Sequence, residues 1–204
     1  MATQATPARA KAPTKAPAKK SLATSPAAPA RKAPAAVKRP KDACDLLDAD
    51  HKAVKVLFKD YAALGESRSR SSAKKRQLAD RICRELTVHA TIEEEIFYPA
   101  VRKAIKDHAL LNEATVEHAS AKDLIAQIKA MDAGDDLFDA KVTVLGEYID
   151  HHVKEERTEM FVKVRSTKLD LVKLASQLQA RKEELMAGQA QPAAAPLAEL
   201  STAL

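Results

Sequence analysis

The sequence predicts an all-α protein: an up-down-up-down four-helix bundle followed by a short C-terminal helix. Composition is the first indication, because the 204 residues include only four glycines and 3% aromatic residues. Periodicity is the second, because four stretches beyond Asp42 place apolar residues at the spacing of a buried helical face. The connections between them are short and polar, so consecutive helices are expected to pack antiparallel.

The first 41 residues differ in composition from the rest of the chain. Residues 1–41 contain ten Lys and Arg, no Asp or Glu, and seven of the ten prolines, whereas residues 42–204 have a net charge of −4. Recurring proline prevents a continuous helix, and the segment has too little apolar bulk to offset its ordering entropy. We therefore predict a disordered basic tail. A transit peptide is the alternative, but the prolines disfavour the amphipathic helix that such signals need.

Four long helices are predicted after this tail. Their approximate bounds are 42–64, 72–105, 109–131 and 135–164. Together they form a bundle domain at residues 42–165, followed by a C-terminal helix at 166–188 that ends at Gly188 and a disordered Ala/Pro-rich tail at 189–204. Pro99 is expected to kink or end the second helix near Tyr98.

The bundle is predicted to be a duplicated helical hairpin. His51 lies 67 residues before His118, and the pair His89 and Glu93 lies 63 residues before the corresponding second pair, His152 and Glu156. A His and a Glu four residues apart project from one face of a helix and can bind the same ion. Each hairpin thus supplies one lone His and one His-x3-Glu pair.

These six side chains fall on the helical faces that are predicted to be buried. On the second helix that face is expected to run from His89 through Glu93, Ile96 and Ala100. A buried ionised Glu is costly unless positive charge neutralises it, and no Lys or Arg lies on these faces. One buried His is usually structural, but six such groups together predict a bound cation.

The donor atoms narrow the choice of cation. Histidine nitrogen and carboxylate oxygen without thiolate disfavour a structural zinc site, and four nitrogens disfavour Mg²⁺ or Ca²⁺. Iron or manganese remains. Six side chains are more than one ion with an exchangeable position needs, and carboxylates can bridge, so two ions that share Glu93 and Glu156 are predicted. Cys44 and Cys83 are too few for a disulfide framework, and Cys44 is interpreted as a core residue.

Four motifs resemble those of hemerythrin-like, or HHE cation-binding, domains. They are LLDADHKAVK around His51, HATIEEEIFYP from His89, VEHASAKDLI around His118 and DHHVKEERTEMF from Asp150. The resemblance covers about residues 42–165 and implies a four-helix bundle with a carboxylate-bridged, non-haem centre of two iron ions, iron being favoured over manganese. It implies six metal ligands: His51, His89, Glu93, His118, His152 and Glu156. Oxygen carriers of the family have a second His one turn before the third-helix ligand. Ala114 stands there, which argues against reversible O₂ carriage.

Neighbouring polar residues are predicted to have lesser roles. His151 is rotated about 100° from the buried face of its helix and is interpreted as a flanking residue. We expect exposed charges at Glu94, Glu95 and Glu155, and hydrogen bonds to ligand histidines at Glu113 and Glu117. Tyr98 and Tyr148 could line the site, but ordinary packing is favoured for both.

The sequence therefore predicts a cytoplasmic protein that binds two irons and senses or handles O₂, peroxide or iron. No apolar run approaches the roughly 18 residues that cross a bilayer, so no membrane association is expected. One alternative is a di-iron enzyme that consumes peroxide. Another is an iron store or stress protein whose residues 1–41 dock on nucleic acid without sequence preference.

Overall fold

The computed structural model describes residues 41–65, 72–106 and 108–190. These residues form the predicted all-helical bundle. Its helices are α1 (Ala43–Ala63), α2 (Ser72–Ile92), α3 (Tyr98–Ala104), α4 (Ala109–Ala130), α5 (Phe138–Glu155), α6 (Phe161–Arg165) and α7 (Leu171–Ala190). Two π-helical turns, π1 (Glu93–Phe97) and π2 (Glu156–Met160), join α2 to α3 and α5 to α6 without a break. The predicted basic tail, apart from Lys41, and residues 191–204 lie outside the described part of the chain.

The start of α1 is fixed by a capping box. The Asp42 carboxylate accepts a hydrogen bond from the backbone N–H of Asp45 at 2.8 Å, and the Asp45 carboxylate accepts one from the Asp42 N–H at 3.1 Å. Arg165, the last residue of α6, lies 3.1 Å from the first carboxylate and 2.7 Å from the second. We call the four long segments of the bundle rods: α1; α2 with π1 and α3; α4; and α5 with π2 and α6. Arg165 thereby holds the start of the first rod against the end of the fourth.

Both long rods change from α-helix to π-helix at the predicted glutamate ligand. In π1 the N–H of Tyr98 bonds to the carbonyl of Glu93, five residues earlier, and in π2 the N–H of Phe161 bonds to the carbonyl of Glu156. Single π-helical turns inside α-helices are rare and are frequent at functional sites. The duplication therefore extends to an irregularity of the backbone.

The turn π1 moves the buried face of its rod by one residue. Phe97 and Val101 are buried, whereas an uninterrupted α-helix would bury Ile96 and Ala100. The buried face that was predicted to continue through Ile96 and Ala100 is therefore wrong beyond Glu93. The physical reason is the wider π-helical turn, which accommodates one more residue before the chain faces the core again.

Pro99 does not end the second rod. It lies in the first turn of α3, where a missing N–H costs least, and the helix continues to Ala104. The corresponding residue of the second copy is Val162, yet π2 forms at the same place. Proline is therefore not required for the π-helical turn.

The apolar core consists of two clusters, one on each side of the histidines. The first includes Leu47, Phe97, Leu111, Met160, Val164 and Leu178. The second includes Val54, Ile82, Leu86, Ile125, Phe138 and Leu145. Each of the four rods contributes to both clusters and carries its predicted metal ligands between them, so the polar centre is enclosed by hydrophobic packing above and below.

The C-terminal helix α7 packs against α1 and α2. It buries Leu174 and Leu178 in the first apolar cluster and continues to Ala190, past the predicted end at Gly188. Its Lys182 forms an ion pair with Asp50 of α1. No helix among the described residues is both long and apolar enough to cross a membrane.

Candidate metal centre

The six predicted ligands lie together in the middle of the bundle, and each is at most 6% exposed. They are His51 in α1, His89 in α2, His118 in α4, His152 in α5, and the first residues of the two π-helical turns, Glu93 and Glu156. The elements that carry them belong to all four rods. The site therefore depends on the assembled bundle and not on any one helix.

The four histidines form two pairs through their Nε2 atoms. In the first pair, the Nε2 atoms of His51 and His89 are 2.9 Å apart, and in the second pair those of His118 and His152 are 3.2 Å apart. Metal–nitrogen bonds are about 2.0–2.1 Å long, so two adjacent ligands of one octahedral ion lie about 3 Å apart. Each pair is spaced to bind one cation.

Glu93 lies between the two histidine pairs. Its Oε2 is 3.3 Å from Nε2 of His89 and 3.4 Å from Nε2 of His118. The residue is 0% exposed, and neither of its oxygens accepts a hydrogen bond from any described residue. A buried carboxylate without hydrogen bonds is unfavourable unless a cation binds it, so the residue fits a metal ligand shared by both pairs.

Glu156 occupies the corresponding position in the second copy. Its Oε2 is 3.3 Å from Nε2 of His51 and 3.7 Å from Nε2 of His152. Its other oxygen, Oε1, accepts a hydrogen bond of 3.0 Å from the hydroxyl of Tyr98, which is also 3.2 Å from Nε2 of His118. Each glutamate thus contacts one histidine of each pair. Of the two roles considered for Tyr98, the structure supports lining of the site over ordinary packing, because its hydroxyl contacts two of the predicted ligands.

Buried carboxylates favour positive charge at the centre even when no metal is bound. Burial by itself lowers the pKa of His89, but the carboxylates of Glu93 and Asp50 outweigh it and raise that pKa to about 10. Burial likewise acts to raise the pKa of Glu93, but His89 and His118 hold it well below its usual range. Without a metal, the neighbouring carboxylates therefore favour the protonated form of His89. A bound cation supplies the same positive charge.

Three of the histidines contact a carboxylate through Nδ1, the ring nitrogen that faces away from the centre. The distances are 2.7 Å between His152 and Glu117, 3.0 Å between His118 and Glu94, and 3.6 Å between His89 and Asp50. The first two contacts are hydrogen bonds, and such partners fix the orientation and tautomer of ligand histidines. The contact predicted for Glu117 is present. The exposed role predicted for Glu94 is wrong, because this carboxylate contacts both His118 and Lys122.

The first histidine pair differs from the second. Among the described residues, neither Nδ1 of His51 nor Nδ1 of His89 has a hydrogen-bond partner, although Nδ1 of His89 lies 3.6 Å from Asp50. The position that holds Glu94 in the first copy holds Arg157 in the second, and this arginine bonds to Asp48 at 2.8 Å. The two halves of the centre are therefore chemically unequal, although the chain is duplicated.

The remaining neighbours lie outside the buried cluster. Glu113 and Tyr148 are exposed and make no hydrogen bond to a ligand histidine among the described contacts. Glu95 is paired with Arg181 of α7 at the surface. The side chain of His151 is 63% exposed, as its predicted flanking position requires.

A small cavity adjoins the four histidines. It has a volume of about 20 Å³. Apart from the histidines, it is lined by Asp50, Lys122 and apolar side chains, which include Val54, Leu86, Ala121, Ile125 and Ile149. One water-sized molecule needs roughly 10–15 Å³ on this measure. The cavity therefore has room for a ligand of two or three atoms.

The fold and the site together define a metal-binding helical bundle. Residues 42–164 match the hemerythrin HHE cation binding domain, and the chain belongs to this family. A crystal structure of a hemerythrin HHE cation binding domain-containing protein from Mycobacterium kansasii has a TM-score of 0.60 and 22% identity. The match covers 72% of this chain and 89% of that one, which shows a shared fold.

A curated relative extends beyond the present chain. A protein from Nostoc sp. (strain PCC 7120), named DNA nickase, is 30% identical over 122 residues, which are 60% of this chain. The matched segment spans 33% of that relative, so two thirds of the relative have no counterpart in the alignment.

Proposed function

We propose that this protein binds two non-haem iron ions, bridged by Glu93 and Glu156, and uses them to sense or handle O₂, peroxide or iron. The observation that carries the proposal is the position of the two glutamates. Each is buried and lies against one Nε2 atom from each histidine pair. Carboxylates can bridge two ions, and facing helices of a bundle are a known scaffold for such centres.

The donor set favours iron over zinc, with manganese as the second choice. Four imidazoles and two carboxylates suit a first-row metal of intermediate softness. Both cysteines lie in the apolar clusters, where burial raises the pKa of Cys44 to about 12 and that of Cys83 to about 11. They remain neutral thiols and do not complete a thiolate site of the structural zinc type.

A pair of iron ions would supply reversible redox chemistry and open positions for O₂ or peroxide. The chain determines what can reach them. The small cavity beside the histidines has room only for a small molecule. Tyr98 holds one oxygen of Glu156 in place, and its hydroxyl lies 3.2 Å from Nε2 of His118. Ala114, buried in the first apolar cluster, provides no further nitrogen, which favours sensing or peroxide handling over reversible O₂ carriage.

Addition of H₂O₂ to the iron-loaded protein distinguishes a sensor from an enzyme. A sensor changes its absorption spectrum once and consumes about one molecule of H₂O₂ per centre, because oxidation of two Fe²⁺ to Fe³⁺ releases the two electrons that reduce one H₂O₂ to water. A peroxide-consuming enzyme removes many molecules of H₂O₂ per chain, and His89→Ala abolishes this activity along with the metal. An unchanged spectrum with O₂ and with H₂O₂ would exclude both forms of the proposal and leave iron storage.

We propose nucleic-acid binding by residues 1–41 as a second function. This segment contains ten Lys and Arg and no acid. Its basic side chains can contact the backbone phosphates of a nucleic acid irrespective of the base sequence. In this arrangement the bundle stores or reports iron at the nucleic acid. The name of the Nostoc relative makes DNA the first nucleic acid to test.

A further inference from the structure

A second group of metal-ligating side chains lies at the surface beside the buried centre. It consists of Glu117 in α4 and of His151 and Glu155 in α5, and we call these residues the surface trio. Nε2 of His151 is 3.3 Å from a carboxylate oxygen of Glu155 and 3.6 Å from Oε1 of Glu117. The three potential ligand atoms lie within 4.8 Å of one another.

The surface trio contains two carboxylates but no Lys or Arg to neutralise them. Among the described residues, all ion pairs of Glu117 and Glu155 are with histidine. The nearby acids Glu94 and Glu95, in contrast, are paired with Lys122 and Arg181. One imidazole and two carboxylates without a basic partner are a suitable donor set for Fe²⁺ or Mn²⁺. The exposure of His151 makes this set accessible to a hydrated ion.

Glu117 connects the surface trio to the buried centre. Its Oε2 accepts a hydrogen bond of 2.7 Å from Nδ1 of His152, while its Oε1 faces His151. A cation bound by the trio is therefore one carboxylate away from a predicted ligand of the centre.

The trio occurs in only one of the two copies. The residues that correspond to His151 and Glu155 in the first copy are Val88 and Ile92, and both are buried. The duplication therefore does not account for the trio. The trio places a group of potential metal ligands on one side of the centre only.

We propose that the surface trio binds a divalent cation and loads it into the buried centre. This inference rests on the proposed function, since it concerns the supply of the same iron. The six buried ligands are at most 6% exposed, so a hydrated ion in solution has little direct access to them. Unneutralised carboxylates at the surface raise the local concentration of cations and speed their association.

Iron uptake by the metal-free, full-length protein tests the loading role. The double variant His151→Ala, Glu155→Gln is compared with wild type after anaerobic addition of two equivalents of Fe²⁺. The variant should reach the same final iron content about tenfold more slowly, because only the accumulation of cations at the surface is lost. Glu147→Gln is the control, since Glu147 is an exposed acid of α5 two turns earlier, and it should load at the wild-type rate.

Two results would overturn the loading role: equal uptake rates in wild type and the double variant, or an equal delay in Glu147→Gln. A wild-type protein that never acquires iron would instead refute the proposed function. The equal final iron content of the double variant also shows that its bundle has folded.

Binding of Mn²⁺ tests the site itself, whether or not the centre loads. Free Mn²⁺ gives a six-line electron paramagnetic resonance signal that is lost on binding, and it is titrated into metal-free and iron-loaded protein. Wild type should bind one more Mn²⁺ per chain than the double variant in both states. The same Mn²⁺ binding in both proteins would show that the trio is not a cation site.

Discussion

His151 and His152 are adjacent in sequence but have different environments. Nε2 of His152 faces the buried centre at 3.2 Å from that of His118, whereas the side chain of His151 is largely exposed. We expect His152→Ala to lose bound iron, because it removes a nitrogen ligand that no other side chain can replace. His151→Ala should reach the iron content of wild type after long incubation. Metal analysis of both variants measures the difference, and equal losses would show that the ligand assignment is wrong by one residue.

Tyr98 holds one of the two shared carboxylates through its hydroxyl. Tyr98→Phe removes the hydrogen bond of 3.0 Å to Glu156 and leaves the shape of the side chain nearly unchanged. Because all six proposed ligands remain, we expect normal iron content but several-fold faster release of iron to a chelator. The free energy of unfolding should fall by about 1 kcal/mol, as is usual for one hydrogen bond. Release at the wild-type rate would mean that Tyr98 only fills space.

The ligand residues could be predicted from sequence because duplication multiplies a weak signal. One His-x3-Glu pair has little meaning, but two pairs at a constant offset, each with a lone His upstream, identify six side chains. An acid directly precedes each lone His, and the repeat shows both of these acids, Asp50 and Glu117. Its contact with the histidine of the next helix depends on how α-helices pack and requires coordinates.

At the scale of elements, the helices were predictable and the π-helical turns were not. Apolar periodicity gives a helix to within a few residues, as for α4, predicted at 109–131 and found at Ala109–Ala130. A π-helical turn has no compositional signal, so the α-helical register was carried past Glu93. That register puts Tyr98 off the buried face, and for this reason ordinary packing was favoured over a place in the lining of the site.

Gly146 tests how tightly α1 and α5 are packed. Alanine is favoured over glycine inside a helix by about 1 kcal/mol. A Cβ at position 146, however, would lie 3.2 Å from Cδ1 of the Phe58 ring. We therefore expect Gly146→Ala to lose most or all of the propensity gain. Gly188→Ala is the matched control in α7, because nothing lies within 4 Å of its Cβ position.

Chemical denaturation of both alanine variants measures the two free energies of unfolding. The control should equal or exceed wild type in stability, and Gly146→Ala should be less stable than the control. A gain of about 1 kcal/mol at position 146 would show that Phe58 moves aside freely.

At the scale of the whole molecule, two parts of the chain carry net charges of opposite sign. Residues 1–41 contain ten basic and no acidic residues, and residues 42–204 have a net charge of −4. If six Lys or Arg contact phosphates, log K for duplex DNA should fall against log salt with a slope of about −5. Deletion of residues 1–41 should abolish binding, because the remaining chain repels DNA. The deletion should leave iron content unchanged, because every proposed ligand lies beyond residue 41.

The deletion also separates the tail from the bundle as the site of contact. DNA binding that survives in the deletion variant would place the contact on the bundle. No binding by the full-length chain at low salt would mean that the tail acts as a soluble spacer.

The central claim is that one bundle holds two iron ions through carboxylates shared by two histidine pairs. The most direct test is the iron content of protein loaded anaerobically with Fe²⁺, compared with that of Glu93→Gln and of the surface control Glu95→Gln. We expect close to two irons per chain in wild type and in the control, with near-ultraviolet charge-transfer absorption after exposure to air. Glu93→Gln should lose both the iron pair and this absorption, because its carboxylate contacts one histidine of each pair. A single tightly bound zinc in wild type, or two irons retained in Glu93→Gln, would contradict the claim.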